Sequence, residues 1–353
     1  MSLKNKLAAR LQRHPKRVVF PDGSDPRVLQ AARQFAMMRL GIPILVGNRQ
    51  RIKITAARLS IRLDGIRIVE PERSEDFEEY KKAFRGYQRA GTVNAEELDD
   101  ASVENYVASP SYFSALMVLM GAADAMICGV SDTSAAALRP VFQLFPRQDG
   151  ITTVSSMQIM DLTDSPIAER LETKKIFLAD CTVITEPTAE QLSEIALMTA
   201  ALYNHLTNER AKVAFLSYST HSQNTTRDDI LKLQEALVLA RAKAKELMIE
   251  ADFDGDLQAD AALDPFAAAS KSHESSVAGQ ANVLVFPNLM AANIASKLAQ
   301  AIANVPCYGQ IITGLKNPVA EISRGASAQD ILGAAIFVAA QAVDQKYLFP
   351  MGE

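Results

Sequence analysis

Short β-branched runs closed by turn residues alternate with Ala/Leu-rich stretches along almost the whole chain, and this alternation limits the folds open to it. The run at 16–20 (KRVVF) reads as a strand, and Pro21-Asp22-Gly23 turns it. Ser24-Asp25-Pro26 then opens a helix, with Pro26 at the first helical position, where its missing N–H costs nothing. Further strands are predicted at 42–47, 66–69 and 125–129, and Ser109-Pro110 starts an apolar helix running to Gly121. A helix over 133–145 carries Arg139. After the turn at Asp149-Gly150, where a domain boundary is placed, 151–162 is a long extended segment. Strands are then predicted at 176–180, 213–219, 281–287 and 309–313. Between them lie a helix opened by a Thr188/Gln191 capping box, one over 227–249 and one ending near 302. A loop over 314–325 leads to a last helix from Ala328. Such alternation predicts an α/β fold: a mainly parallel sheet with helices on both faces.

At 353 residues the chain is long for one domain and comfortable for two. Its net charge of −4 argues against a nucleic-acid protein, which would carry a basic excess. Anion binding must therefore rest on individual arginines near helix starts. The three cysteines, Cys128, Cys181 and Cys307, form no C-x-x-C pair, so neither a disulfide framework nor a zinc site is expected. Cys128 and Cys181 read as core thiols, and the four histidines are not in metal-ligand spacing. The basic segment 1–17 has no apolar continuation and no run reaches membrane-span length, so the expectation is a soluble cytoplasmic protein.

No G-x-G-x-x-G follows the first strand, and neither a Walker A sequence nor a G-x-S-x-G elbow occurs. The DFDGD stretch at 252–256 lacks the spacing of a calcium loop and is expected to be a turn into a strand at 257–259. His221 follows Ser217, Ser219 and Thr220 closely, but a Ser–His pair is set in space and not by such spacing.

The most informative segment is 314–332, GLKNPVAEISRGASAQDIL. Ser323-Arg324-Gly325 precedes a helix start, where exposed N–H groups favour an anion and Arg324 adds a bidentate guanidinium. Gly325 is expected to let the backbone turn and approach a ligand. Ser327-x-x-Asp330 is also a plain capping box, so spacing alone leaves Asp330 open to a structural and a catalytic role.

This segment resembles the C-terminal signature of phosphate acetyltransferases and phosphate butyryltransferases. Other stretches resemble the family in the same order, among them VVFPDGSDPRVLQAA (18–32), SPSYFSALMVLMGAADAMICG (109–129), ALRP (137–140), KVAFLSYST (212–220), DGDLQADAAL (254–263) and VAGQANVLVFPNL (277–289). The resemblance implies a two-domain, three-layer α/β/α protein of isocitrate dehydrogenase-like architecture. Residues 1–149 with 311–353 would form one domain and 150–310 the other, with the active-site cleft between them and a homodimer as the working form. It implies acyl transfer between acetyl-CoA and phosphate, giving CoA and acetyl phosphate, with coenzyme A as substrate and no separate cofactor, metal, nucleic acid or membrane partner. Arg324 matches the family's phosphate-binding arginine, Ser323 a serine on the reacting group, Asp330 a base for the CoA thiol, Arg139 a second active-site arginine and Arg89 a third. Lys297 fits a lysine of the family's N-I-x-x-K helix. The chain has Ala292, Ala295 and Ser296 where the family often has Gly, Gly and Tyr, and Ala320-Glu321 where it often has Asn-Asp. Alternatives are a propionyl or butyryl transferase and a non-catalytic acyl-CoA-binding regulatory module. A hydroxy-acid dehydrogenase would need nicotinamide contacts and an Asp cluster that the sequence does not present.

Overall fold

The computed structural model describes residues 1–89, 98–272, 274–303 and 305–344. In chain order the first elements are α1 (Leu3–Arg13), β1 (Lys16–Phe20), α2 (Pro26–Met37), β2 (Gly41–Val46), α3 (Arg49–Arg58) and β3 (Arg67–Val69). Next come α4 (Phe77–Arg89), α5 (Asp100–Ala108), α6 (Pro110–Leu119), β4 (Ala125–Cys128), α7 (Ser134–Leu144), β5 (Ser155–Asp161), β6 (Lys175–Ala179) and α8 (Ala189–Thr207). The rest are β7 (Ala211–Leu216), α9 (Asp228–Glu246), β8 (Ala251–Leu257), α10 (Ala259–Leu263), α11 (Pro265–Lys271), β9 (Val283–Val285), α12 (Leu289–Ala303), β10 (Cys307–Thr313), β11 (Val319–Glu321) and α13 (Ala328–Gln341). The fold is α/β.

The chain divides into two compact units. One comprises residues 6–146 and 315–343, and its strands lie in the order β3-β2-β1-β4-β11, every neighbouring pair parallel. The chain leaves β1 outward through β2 and β3, then returns to lay β4 on the other side of β1. The direction of winding therefore reverses between β1 and β4. Helix α13 is buried from Ile331 onward and packs on α2, β1 and β4, which is why its sequence is apolar all round. Asp25 caps α2 and Pro26 occupies its first turn, as the sequence reading expects.

The other unit holds 147–314, with strand order β10-β5-β6-β9-β7-β8. Its pairs are parallel except those of β5, which runs antiparallel to both β6 and β10. Helix α8 opens with the reciprocal Thr188/Gln191 capping box and is buried along most of its length. At the end of β6 the buried Asp180 carboxylate gathers the amides of Ser156, Thr182, Val183 and Ile184 and the Ser156 hydroxyl. A buried carboxylate is tolerated only when so satisfied.

Two expectations are corrected. The loop over 314–325 contains β11, whose Val319, Ala320 and Glu321 are all buried and pair with Met126, Ile127 and Cys128 of β4. A three-residue strand with Ala and Glu in it carries no β signature of its own, and β4 sets its register. The DFDGD stretch is not a turn but the body of β8, and the residues after Leu257 are helix α10. Its acidic residues are extended because each has a partner: Arg210 for Asp252, His221 for Asp254, and Ser219 with Ser222 for Asp256. Helix α1, formed by the basic N-terminal segment, escapes a reading based on charge; Leu3, Leu7 and Leu11, four apart, are its buried face. Among the described residues no helix is long and apolar enough to cross a membrane.

Candidate active site

Parallel pairing of β1, β4 and β11 aligns their carboxyl ends, so the three loops that follow lie side by side at one edge of the sheet. These loops are 21–25, 129–133 and 322–327. The winding reverses between β1 and β4, and in open α/β sheets such a reversal leaves a crevice outside the strand ends where ligands bind.

The last two loops touch directly. Gly129 has φ +94°, and a Cβ there would lie 2.9 Å from the Ile322 carbonyl oxygen and 3.0 Å from the Glu321 side chain. The Ile322 amide donates to the Cys128 carbonyl at 2.8 Å. Glu321 is buried, and its Oε1 accepts from the Ser134 hydroxyl at 2.8 Å, which ties the end of β11 to the first residue of α7. Asp22, in the first loop, is bonded to Ser131. Burial pushes its carboxyl above the ordinary value, the Ser131 hydroxyl opposes the shift, and nearby Asp132 adds to it.

Arg27, in the first turn of α2, fastens all three loops. Its Nη1 donates to the carbonyl oxygens of Arg324 (2.6 Å) and Ala326 (3.0 Å). Its Nη2 donates to the Val130 carbonyl (3.0 Å) and to Asp25 Oδ2 (2.9 Å), and its Nε to Asp25 Oδ1 (3.1 Å). Asp25 therefore neutralises Arg27 while capping α2.

The loop so held presents Ser323 and Arg324 to solvent. It turns tightly, with the Ala326 amide on the Ser323 carbonyl at 2.9 Å and the Gly325 amide near the Ser323 hydroxyl at 3.4 Å. Among the described residues the Arg324 guanidinium makes no hydrogen bond and no ion pair. Gly325 is not in the left-handed region, and a Cβ there would meet nothing within 4 Å, so the turn itself does not demand glycine. What glycine leaves there is open space.

Asp330 stands in the first turn of α13 and forms the full capping box. Its Oδ2 accepts from the Ser327 amide and hydroxyl, both at 2.8 Å, and its amide donates back to the Ser327 hydroxyl at 3.2 Å. Its Oδ1 has no hydrogen bond among the described residues. The remaining first-turn amides of α13 have no intrahelical partner, as in any helix.

Arg139 is exposed on α7, five residues after Ser134, or roughly 7.5 Å along the axis. It lies near Tyr112, whose phenol is pushed up to about 12 by burial and then by Tyr106, with the Arg139 cation opposing. It makes no hydrogen bond to Ser323, Arg324 or Asp330 among the described residues. Arg89 is the last residue of α4, and its side chain lies outside the described residues. Lys297 is exposed on α12, in the other unit. Cys128 and Cys181 are both buried, and burial pushes both thiols up, so they are poor nucleophiles.

The structure places the predicted Ser323, Arg324 and Asp330 on one loop and the helix start after it; the sequence reading gave no role to Arg27, Asp22 or Ser131. The only trace of Arg27 is an arginine beside an N-cap aspartate, a common surface pair.

Residues 2–339 match the model of the phosphate acetyl/butaryl transferase family. A phosphate acetyltransferase of Acetivibrio thermocellus is 35% identical over 342 residues, covering 97% of this chain and 98% of that protein. One of Bacillus subtilis is 34% identical over 327 residues, covering 93% of this chain and 95% of its own length. Among solved structures, the EutD phosphotransacetylase from Staphylococcus aureus superposes with a TM-score of 0.85 at 30% identity, over 97% of this chain and 98% of that one. A branched-chain phosphotransacylase from Enterococcus faecalis shares the fold, with a TM-score of 0.64 at 19% identity, over 93% of this chain and 99% of its own. By the extent of these matches and by the aligned strand ends that carry the Ser323-Arg324 loop, the chain belongs to the phosphate acetyl/butaryl transferase family.

Proposed function

We propose that this chain is a cytoplasmic enzyme that transfers an acetyl group between acetyl-CoA and inorganic phosphate, forming CoA and acetyl phosphate. The observation that carries the reading is Arg324: an exposed guanidinium with no partner among the described residues, on a loop that Arg27 clamps at the carboxyl ends of parallel strands. An unpaired guanidinium on a clamped loop beside a helix N-terminus is a site for a phosphate group, which it grips in bidentate fashion. The names of the relatives give the acyl group as acetyl.

In the mechanism we infer, Arg324 holds the phosphoryl oxygens of acetyl phosphate, and the Ser323 hydroxyl and Arg139 meet the charge that develops on the carbonyl oxygen. Asp330 accepts the thiol proton of CoA through Oδ1, its other oxygen being fixed by Ser327. The thiolate attacks the carbonyl carbon, the C–O bond to phosphate breaks, and phosphate leaves against Arg324. No covalent enzyme intermediate is formed, and CoA is a substrate; the scheme needs no metal or further cofactor. Arg89 is proposed as a third arginine on the substrates.

Purified protein should exchange acetyl phosphate with CoA faster than propionyl or butyryl phosphate. Faster turnover of the longer acyl groups would reassign the substrate, and acyl-CoA binding without any turnover would favour the regulatory reading. Arg324→Ala should lower kcat about 10²- to 10³-fold with little change in Tm. Arg27→Lys, which leaves the charge but loses the planar fork, should lower kcat at least about tenfold while Arg324 is intact; a wild-type rate would show that the clamp is dispensable. Asp330→Asn still offers an acceptor to the Ser327 amide, so its turnover should fall far more than its Tm. A large fall in Tm with nearly normal turnover would leave Asp330 as a cap only.

We further propose that the protein works as a homodimer. On α12, Met290, Ile294, Leu298 and Ile302 are 69%, 60%, 56% and 74% exposed. Spaced four apart, they form one apolar stripe along the helix, and such a contiguous patch on a globular protein marks a contact surface. The double variant Ile294→Glu, Leu298→Glu should elute as a monomer in light-scattering chromatography where the wild type elutes as a dimer. An unchanged mass would remove α12 from the interface.

A further inference from the structure

A second group of nucleophile, base and carboxylate lies in the other unit. His221 follows β7, Asp254 lies on β8, and Ser272 closes α11. His221 Nε2 is 3.1 Å from both carboxylate oxygens of Asp254, and its Nδ1 is 3.2 Å from the Ser272 hydroxyl. A carboxylate only accepts, so in the neutral imidazole Nε2 carries the hydrogen and Nδ1 keeps a lone pair facing the serine.

The placement of His221 is built in. It sits at φ +48°, a costly conformation for a residue other than glycine, and its amide donates to the Asp256 carbonyl at 2.9 Å. Asp256 is fully buried, and its side chain accepts from the hydroxyls of Ser219 (2.5 Å) and Ser222 (2.8 Å) and from Gln234 (3.3 Å) on α9. This anchors the 217–222 loop on both sides of the histidine. Asp254 is fixed in turn by the Gly255 amide at 2.9 Å and by the Ser275 hydroxyl. His221, Asp254 and Ser272 line one cavity of about 490 Å³, together with the cations Arg241 and Lys271 and with Glu274. The family's reaction, as derived above, uses none of these residues. A purely structural clip joining α11 to β8 would need no cavity.

We propose that Ser272, His221 and Asp254 form a second acyl-transfer site, which takes small activated acyl esters and passes the acyl group to water. The Ser272 hydroxyl oxygen attacks the acyl carbonyl while its proton passes to His221 Nδ1, and Asp254 holds the imidazolium so formed. Arg241, whose Nε and Nη2 are held on the Phe253 carbonyl, meets the negative charge on the carbonyl oxygen through Nη1, while Lys271 stays paired with Asp260. The bond to the leaving group breaks, and the leaving group takes the proton from His221. Water then gives a proton to His221 and its oxygen to the carbonyl carbon, the Ser272–acyl bond breaks, and carboxylic acid leaves with Ser272 reprotonated.

The test is to treat the full chain with a fluorophosphonate and map the adduct by mass spectrometry, with p-nitrophenyl acetate hydrolysis followed in parallel. One adduct on Ser272 is expected, absent in Ser272→Ala and formed roughly a hundredfold more slowly in His221→Gln and Asp254→Asn. Ester hydrolysis should fall in the same order, while acetyl exchange with CoA stays at the wild-type rate in all three. The wild-type labelling needs no variant to fold, so an unmodified Ser272 overturns the proposal outright. Labelling of Ser272 at an unchanged rate in both His221→Gln and Asp254→Asn overturns it as well, because the hydroxyl would then react without a base.

Discussion

The candidate site depends on one guanidinium whose donors are taken up by the protein's own carbonyls and by Asp25. Arg27 makes five hydrogen bonds, two of them to the backbone on either side of Gly325, one to the β4 loop and two to Asp25. A hydrogen bond from a charged donor contributes about 1.5–3 kcal/mol, and the side chain here is 30% exposed, so each is worth less than that range. The geometry matters more than the sum. A planar fork with donors on two nitrogens and the Nε edge fixes three chain segments in one plane, and the ammonium of lysine cannot do so. Without it, the 322–327 loop would keep its own short turn, the Ile322 bond to β4 and the Ser327–Asp330 cap.

The same arrangement sorts the two arginines by charge. Arg27 is neutralised by Asp25, with Asp22 as a second acidic neighbour. The Arg324 guanidinium has no such partner among the described residues, although the backbone carbonyl of Arg324 accepts from Arg27. One arginine is thus structural because a carboxylate neutralises it, and the other is available to an anion because none does. Burial of Glu321 with a Ser134 hydroxyl on it follows the same pattern: the carboxylate just before the loop is occupied inside the protein and is not paired with Arg324.

Local signals made much of this legible in the sequence. Pro26 after Asp25, Thr188 with Gln191, and Ser327 with Asp330 are caps whose chemistry acts within four residues, and all three form as read. What stayed hidden depends on contacts far apart in the chain. Arg27 reaches Arg324 across 297 positions, and no periodicity near Arg27 reveals it. β11 is a strand because β4 is beside it, and β8 tolerates Asp252, Asp254 and Asp256 because their partners come from other segments. Gly325 shows the reverse error, since a glycine that reads as a backbone necessity proves to be a matter of open space.

Asp330 shows why the structural and the catalytic reading of a residue need not exclude each other. Spacing alone sets capping against catalysis, since one carboxylate would serve one purpose. The geometry divides the work between its two oxygens. Oδ2 is held by the Ser327 amide and hydroxyl, which fixes the side chain in one rotamer, and Oδ1 is left without a hydrogen bond among the described residues. A capping interaction is worth roughly 1 kcal/mol to the helix, a small term for a fold of this size. Its larger effect is to hold the carboxylate in one position, and a base must be held to within about half an ångström of its productive geometry to work well. In the mechanism proposed above, the cap is what would hold the base in place.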